Sequence, residues 1–431
     1  MQRPLKLCLD ALPVLALAVV SVVPAFVANA AEPQVIDDST LHAKYATVGG
    51  ASVLPTDRTV QHWFGQALNP NDGITYGYSM VGADPNNCSG SACDVTIEVD
   101  ITPIIVNVGG LTFDGTSVVP ATLASPVFAL NDYGSTPNAT NSGFARGGGG
   151  TLSPGNAGSR LQLEDATMRS QFKSFGSYHL RFHANLLPAV TINVPSNQGT
   201  LLQSGRGVIF ADVDIGWWSS QIQNLNVNQD PTHLPVYLTN SVLLFEGKNI
   251  FNCCVIGYHG VKPTGNGGGP TNSNGNAKVQ TFAWASYVQP GIYARANGGV
   301  DWALQDIHAL SHEISEWADD PFVNNLVQPW LTPTAPQYGC TGILETGDPV
   351  VGIGFAIGTN IFFQGANPNG SQSADGYYHP EDEVFLPWFM RTAPNSISEL
   401  TQTTSPNDGR YTLMGDLNPF PGFRTYATGC N

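Results

Sequence analysis

Residues 301 to 321 read DWALQDIHALSHEISEWADDP, the longest stretch of the chain with clear helical periodicity and its densest set of metal-binding side chains. At ~100° per residue, Ala303, Ile307, Leu310, Ile314 and Trp317 fall on one face, and Asp301, His308, His312, Glu316 and Asp319 gather on the opposite one. The spacing predicts a helix with one side for a core and the other for chemistry. Asp301, after Gly298 and Gly299, is the expected N-cap. Pro321 is expected to stop the helix near Asp319 or Asp320. Carboxylates at that end oppose the helix dipole, which favours cations there. A bound cation would offset them.

Within this helix, His312-Glu313-Ile314-Ser315-Glu316 has the form H-E-x-x-E. Residues four apart share a helix face, so His312 and Glu316 are placed to hold one metal ion, and Glu313 sits a quarter-turn away as a candidate general base. A solvated helix face normally carries Lys or Arg at i+4 to pair with its acids, and the sequence has neither from Asp301 to Asp320.

The pattern resembles the H-E-x-x-H helix of the zincin metallopeptidases, with Glu316 where those enzymes have a second His. A carboxylate is an acceptable zinc ligand, so the resemblance implies zinc on His312 and Glu316 and hydrolysis by metal-activated water with Glu313 as base. The third ligand is left open among Asp319, Asp320, Glu345 and Asp348 in LETGDP, and His379 in YYHPEDE, and His308 offers a two-histidine alternative. Calcium on Asp319, Asp320, Glu345 and Asp348 competes, because oxygen ligands suit hard cations. The imidazoles favour zinc. More widely, SHEISEWADDP followed by LETGDP is similar to a group of exported bacterial proteins without assigned activity, and distantly to plant phosphate-induced, exordium-like proteins. That likeness spans about Val208 to Met390 and implies no particular chemistry.

Outward from the helix, the first thirty residues read as a signal peptide: Arg3 and Lys6, an apolar run from Ala11 to Val27, and the cleavage triplet Ala28-Asn29-Ala30. The mature chain is expected to start at Ala31, to be secreted or periplasmic, and to have no membrane span. The formal charge of −16 argues against nucleic acid and anionic membranes as partners. With 42% hydrophobic residues the chain can build a core, and 47 Gly with 31 Pro predict many turns and ordered loops. Loss of Cys8 with the signal leaves Cys88, Cys93, Cys253, Cys254, Cys340 and Cys430, an even set that predicts disulfides in an exported chain. Cys88 and Cys93 are placed to close a small loop, and Cys253 and Cys254 to reach distant partners such as Cys340 and Cys430.

From Thr59 to Val108 the reading is β, with ITYGYSMV and VTIEVDITPIIVNV expected to pair as a hairpin. Residues 31 to about 57 read as a strap over the surface. The glycine run Gly147 to Gly150 lacks the Lys-Ser/Thr of a phosphate cradle and reads as a linker. Beyond Arg160 helices and strands mix: LQLEDATMRSQFKSF and WWSSQIQNL as helices, and YHLRFHA, LPAVTINV, GVIFADVDI, LPVYLTNSVLLF, CCVIGYHG and VQTFAWASYV as strands. His259 in CCVIGYHG, at a strand end, could reach the helix, but it reads first as a hydrogen-bonded strand histidine, since a lone His carries no spacing signal.

The expected fold is α+β: a mixed sheet with a zincin-like active-site helix and a β-rich N-terminal part. The expected parts are 1–30, 31–158 and 159–431, the last two joining in one domain as the alternative. The expected function is that of an exported zinc hydrolase acting on a peptide or protein substrate. The rival is a non-catalytic exported binding or structural protein with a structural zinc or calcium, or no metal.

Overall fold

The computed structural model describes residues 31–36, 44–48, 50–51, 53, 57–131, 160–172, 177–264, 278–293, 305–331, 340–351, 353–355, 357–363, 376–392, 411–413 and 430. The expected signal peptide, the glycine run Gly147 to Gly150 and Asp301 lie outside these residues. Its strands are β1 (Gln34–Val35), β2 (Lys44–Val48), β3 (His62–Leu68), β4 (Thr75–Val81), β5 (Asp94–Val108), β6 (Leu111–Asp114), β7 (His179–Leu186) and β8 (Val190–Asn193). There follow β9 (Gly199–Gln203), β10 (Ile209–Asp214), β11 (Leu234–Asn240), β12 (Val242–Phe245), β13 (Cys253–Thr264), β14 (Lys278–Tyr287), β15 (Leu326–Leu331) and β16 (Cys340–Ile343). The α-helices are α1 (Val119–Leu123), α2 (Leu163–Phe172), α3 (Ile215–Asn226), α4 (His308–Asp319) and α5 (Leu386–Phe389).

Twelve strands form one mixed sheet, in the order β1-β9-β10-β12-β13-β14-β11-β5-β6, with β2 added on β13 and β7 and β8 on β5. This is the sheet-rich α+β architecture expected from the alternating runs. Strands from both sides of residue 158 share the sheet, since β5 pairs in parallel with both β7 and β11. β11 is buried along its whole length. Its apolar run from Leu234 to Leu238 follows from cover on both faces.

Period-2 alternation sorts each central strand between those two faces. Phe282 and Trp284 of β14 join Trp218 and Ile222 of α3 in one core, where Trp218 and Trp284 meet edge to face at 5.8 Å. Ala283, Ala285 and Tyr287 join Leu310, Ile314 and Trp317 of α4 in the other. Small side chains on β14 let α4 lie close. Trp317, fully buried, donates its indole N–H to Thr281 Oγ1 at 2.9 Å.

The predicted helix is found at 308–319, and it ends where Pro321 required. It begins later than expected. Asp306 has φ +47° and exchanges backbone hydrogen bonds with Val288 of 2.8 and 3.2 Å, so its peptide groups belong to a sheet bridge and cannot continue a helix backwards. All twelve residues of α4 are buried, so its polar face meets protein and not water.

Other expectations are corrected. ITYGYSMV (as β4) pairs with β3, not with β5, because β5 is occupied by β6, β7, β8 and β11. The stretch before residue 57 is in part sheet, with β1 on β9 and β2 on β13. Cys88 and Cys93 pair as expected, with Cα atoms 5.2 Å apart. Cys253 and Cys254 lie at disulfide distance from each other, which leaves Cys340 to meet Cys430 with Cα atoms 5.7 Å apart. Among the described residues, no helix is long and apolar enough to cross a membrane.

Candidate metal centre

The polar face of α4 is met by three other parts of the chain: His259 on β13, the loop from Leu344 to Asp348, and the segment from Tyr378 to Val384. Local contacts fix each of them. Glu316 Oε1 accepts from the backbone N–H groups of Gly347 (3.2 Å) and Asp348 (3.3 Å), which ties the first loop to the helix. Glu381 N–H donates to Ser311 Oγ at 2.9 Å, which ties the second. Glycines permit the approach. A Cβ on Gly257 would stand 2.5 Å from Glu313 Oε1, and one on Gly347 would overlap the His312 ring.

Imidazoles and carboxylates alternate through the resulting cluster. His312 Nε2 lies 3.0 Å from Glu316 Oε2, and His259 Nδ1 approaches the same oxygen at 3.6 Å. His259 Nδ1 is also 3.4 Å from Glu313 Oε2, and its Nε2 is 3.9 Å from Glu345 Oε2. On the far side of His312, Nδ1 lies 2.8 Å from Glu381 Oε2, and His308 Nε2 reaches that oxygen at 3.0 Å. Asp348 Oδ1 stands 3.9 Å from His312 Nε2; its side chain is 31% exposed, while those of His259, His308, His312, Glu313 and Glu381 are fully buried.

Burial and neighbours set the protonation of these groups. Burial pushes the Glu313 carboxyl up to about 7, against the pull of His259 and His312. Burial also raises Glu316, but His312 and His259 outweigh it and hold this carboxyl well below its usual range. For His312, burial disfavours the charged ring, yet Glu316 and Glu381 raise its pKa well above the ordinary value. His259 behaves in the same way, with Glu345 as its largest raising neighbour. Glu345 and Glu383 are held well above the carboxylate range, chiefly by burial.

Three sets of side chains bring one ligand atom each within 4.8 Å of one another: His259, Glu316 and Glu345; His312, Glu313 and Glu316; and His312, Glu381 and Glu383. Glu345 is 4% exposed, and neither of its oxygens has a hydrogen-bond partner among the described residues. A buried carboxylate left so is costly unless a proton or a cation meets it. The mix of nitrogen and oxygen donors fits a divalent metal ion, and ligand type alone leaves its identity open.

No family model matches the chain, and neither a curated protein nor a solved structure matches it.

Of the residues proposed from sequence, His312, Glu316 and Glu345 belong to these sets, and Glu313 stands beside His312 and Glu316 in one of them. Asp348 lies at the exposed edge. His308 is one step removed, against Glu381. His379 is held elsewhere: its Nδ1 is 2.9 Å from Asp306 Oδ2 and 3.1 Å from Gln305 Nε2, just before α4. Asp319 Oδ1 accepts from Gln171 Nε2 at 2.8 Å, and the two oxygens of Asp320 accept from the backbone N–H groups of Asn324 and Asn325 at 2.9 and 3.0 Å. Hydrogen-bond donors thus meet both oxygens of Asp320 and one of Asp319, whose Oδ2 has no hydrogen-bond partner among the described residues, and burial lifts both carboxyls to about 7. None of the three sets contains the oxygen-only group Asp319, Asp320, Glu345 and Asp348.

Sequence reasoning ranked His259 first as a strand histidine and passed over Glu381 and Glu383. For His259 a signal was present. Gly257 and Gly260 interrupt an otherwise bulky strand, and the pair brackets a polar residue on the face that alternation turns toward α4. Glu381 and Glu383 follow His379 in a segment with no periodicity, and only the fold returns them to His312.

Proposed function

We propose that the protein is an exported metal-dependent hydrolase, with zinc as its metal and a peptide or related amide as its substrate. The observation that carries this reading is the convergence of His312 and His259 on Glu316 Oε2, beside a Glu345 carboxylate with no hydrogen-bond partner among the described residues. Glu316, His259 and Glu345 would hold the metal, with His312 flanking it. The H-E-x-x-E resemblance to zincins supports Glu316 as a ligand and Glu313 as the base, and it implies His312 as the nitrogen ligand where the geometry favours His259.

Zinc bound here would polarise the scissile carbonyl and acidify a water molecule. Glu313 is suited to take the proton: its pKa of about 7 lies near neutral operating conditions, and its Oε1 has no hydrogen-bond partner among the described residues. Glu313 can then return that proton to the leaving amine. His259 orients the base through its 3.4 Å approach to Glu313 Oε2. Asp348, the exposed member, marks the side from which substrate enters.

A second reading, a non-catalytic exported protein with a structural metal, is favoured by the burial of every cluster member except Asp348. Glu313→Gln separates the two. On the hydrolase reading it abolishes cleavage of a peptide library by zinc-loaded protein and leaves metal content unchanged. A wild-type protein that holds zinc and cleaves nothing in that library supports the structural reading. Metal analysis of protein purified without chelator tests the site itself, and less than about half an equivalent of transition metal removes its basis.

A further inference from the structure

The sets His259–Glu316–Glu345 and His312–Glu381–Glu383 share no residue, so each can be filled while the other is occupied. The first holds the metal of the proposed hydrolase. The second is left without a task.

Glu383 is 1% exposed, and neither of its carboxylate oxygens meets a hydrogen-bond partner among the described residues; one of them lies within 4.8 Å of ligand atoms of His312 and Glu381. Glu381 Oε1 is also without a partner there, while Oε2 faces the rings of His308 and His312. Hydrogen bonds from the described residues thus leave three carboxylate oxygens, on two residues that each bring a ligand atom within 4.8 Å of His312, without a donor.

Charge points the same way. In this buried cluster Glu313, Glu316, Glu345, Glu381 and Glu383 face the imidazoles of His259, His308 and His312, and the ion pairs within it all run to those rings. A single divalent cation on the Glu345 side leaves both oxygens of Glu383 and one of Glu381 without a hydrogen-bond partner among the described residues. Unpaired ionised groups in a low-dielectric interior are strongly disfavoured, and a second cation answers this where the empty lone pairs already converge.

We propose that the centre is dinuclear: a second divalent transition-metal ion sits on His312, Glu381 and Glu383, adjacent to the first and linked to it through the 3.0 Å approach of His312 to Glu316. A nitrogen with two carboxylates suits zinc, manganese or ferrous iron. Paired metal ions a few ångströms apart can grip both the attacking and the leaving atoms of a hydrolytic step. The inference shares the buried cluster with the proposed hydrolase but rests on different residues, so it can fail alone.

The test is stoichiometric. Untagged full-length protein, stripped with chelator, is saturated with Zn²⁺, freed of excess by gel filtration and measured for zinc per chain. About two equivalents are expected for the wild type, and about one for Glu383→Gln and for Glu345→Gln. One equivalent in the wild type overturns the second site and keeps the first; none overturns both. Two equivalents retained in a folded Glu383→Gln variant also overturn it. Should that variant fail to fold, calorimetric titration of the wild type with Zn²⁺ decides: two binding events support the dinuclear centre, and one event at one equivalent removes it.

Discussion

Gly347 lies so close to the ring of His312 that a methyl group in place of its α-hydrogen would overlap the imidazole. Gly257 stands in the same relation to Glu313, with 2.5 Å between an added Cβ and Oε1. The two glycines therefore address different roles. Gly347→Ala is expected to turn His312 away and weaken Zn²⁺ binding by about 10- to 100-fold, the range seen when groups that orient ligands are lost. Gly257→Ala is expected to displace Glu313, cutting turnover while binding at the Glu345 side persists. Competitive Zn²⁺ titration with a chromogenic chelator measures the first effect and peptide cleavage by loaded enzyme the second. Equal effects of both substitutions on binding would contradict the division.

The metal-free protein should lose stability as pH rises. Burial, with Asp320 and Glu316 as further repelling charges, lifts Asp319 to about 7, and burial with Asp319 lifts Glu164 well above its usual range. Both acids keep protons in the folded chain that they release when unfolded. Stability from this source is complete below the unfolded pKa near 4 and falls away as pH climbs through about 7. Urea midpoints of chelator-treated protein from about pH 5 to about pH 8 check this. Asp319→Asn should flatten the slope, and an unchanged slope would remove Asp319 as its source.

Trp317 anchors α4 on the sheet through its bond to Thr281 Oγ1. Thr281→Val keeps the shape and leaves a buried indole N–H without that acceptor, at a cost of about 1–3 kcal/mol. Trp317→Ala adds a cavity and should cost roughly 3–5 kcal/mol. Equilibrium unfolding gives both values, and a near-neutral Thr281→Val would mean that the N–H finds another acceptor.

The crosslinks should differ in weight. Cys340–Cys430 joins residues 90 apart in sequence and Cys88–Cys93 residues 5 apart. On the chain-entropy account their loss costs roughly 4–5 and roughly 2 kcal/mol respectively. Denaturation of Cys340→Ser/Cys430→Ser and Cys88→Ser/Cys93→Ser proteins tests the ranking.

What the sequence disclosed follows from how far each signal reaches. The periodicity of Leu310, Ile314 and Trp317, the stop at Pro321 and the alternation in β5, β10 and β14 are local, and the structure has them. Asp306 escaped because its left-handed backbone is imposed by Val288, far away along the chain. His312 and Glu316 were visible as a helical pair. Glu381 and Glu383 were not, since nothing near them in sequence says which imidazole they will meet. The donors that meet Asp319 Oδ1 and both oxygens of Asp320, from Gln171, Asn324 and Asn325, carry no sequence pattern of their own and were not foreseen.

The centre draws on β13, α4, the loop at Glu345 and the segment at Glu383. During synthesis, which runs from the N-terminus, the H-E-x-x-E helix leaves the ribosome well before Glu345 and Glu383 do. Until those carboxylates arrive, His312 and Glu316 offer an incoming ion only a partial grip. The complete centre therefore needs all four parts in place, and no fragment that ends before Glu383 can hold its full set of ligands.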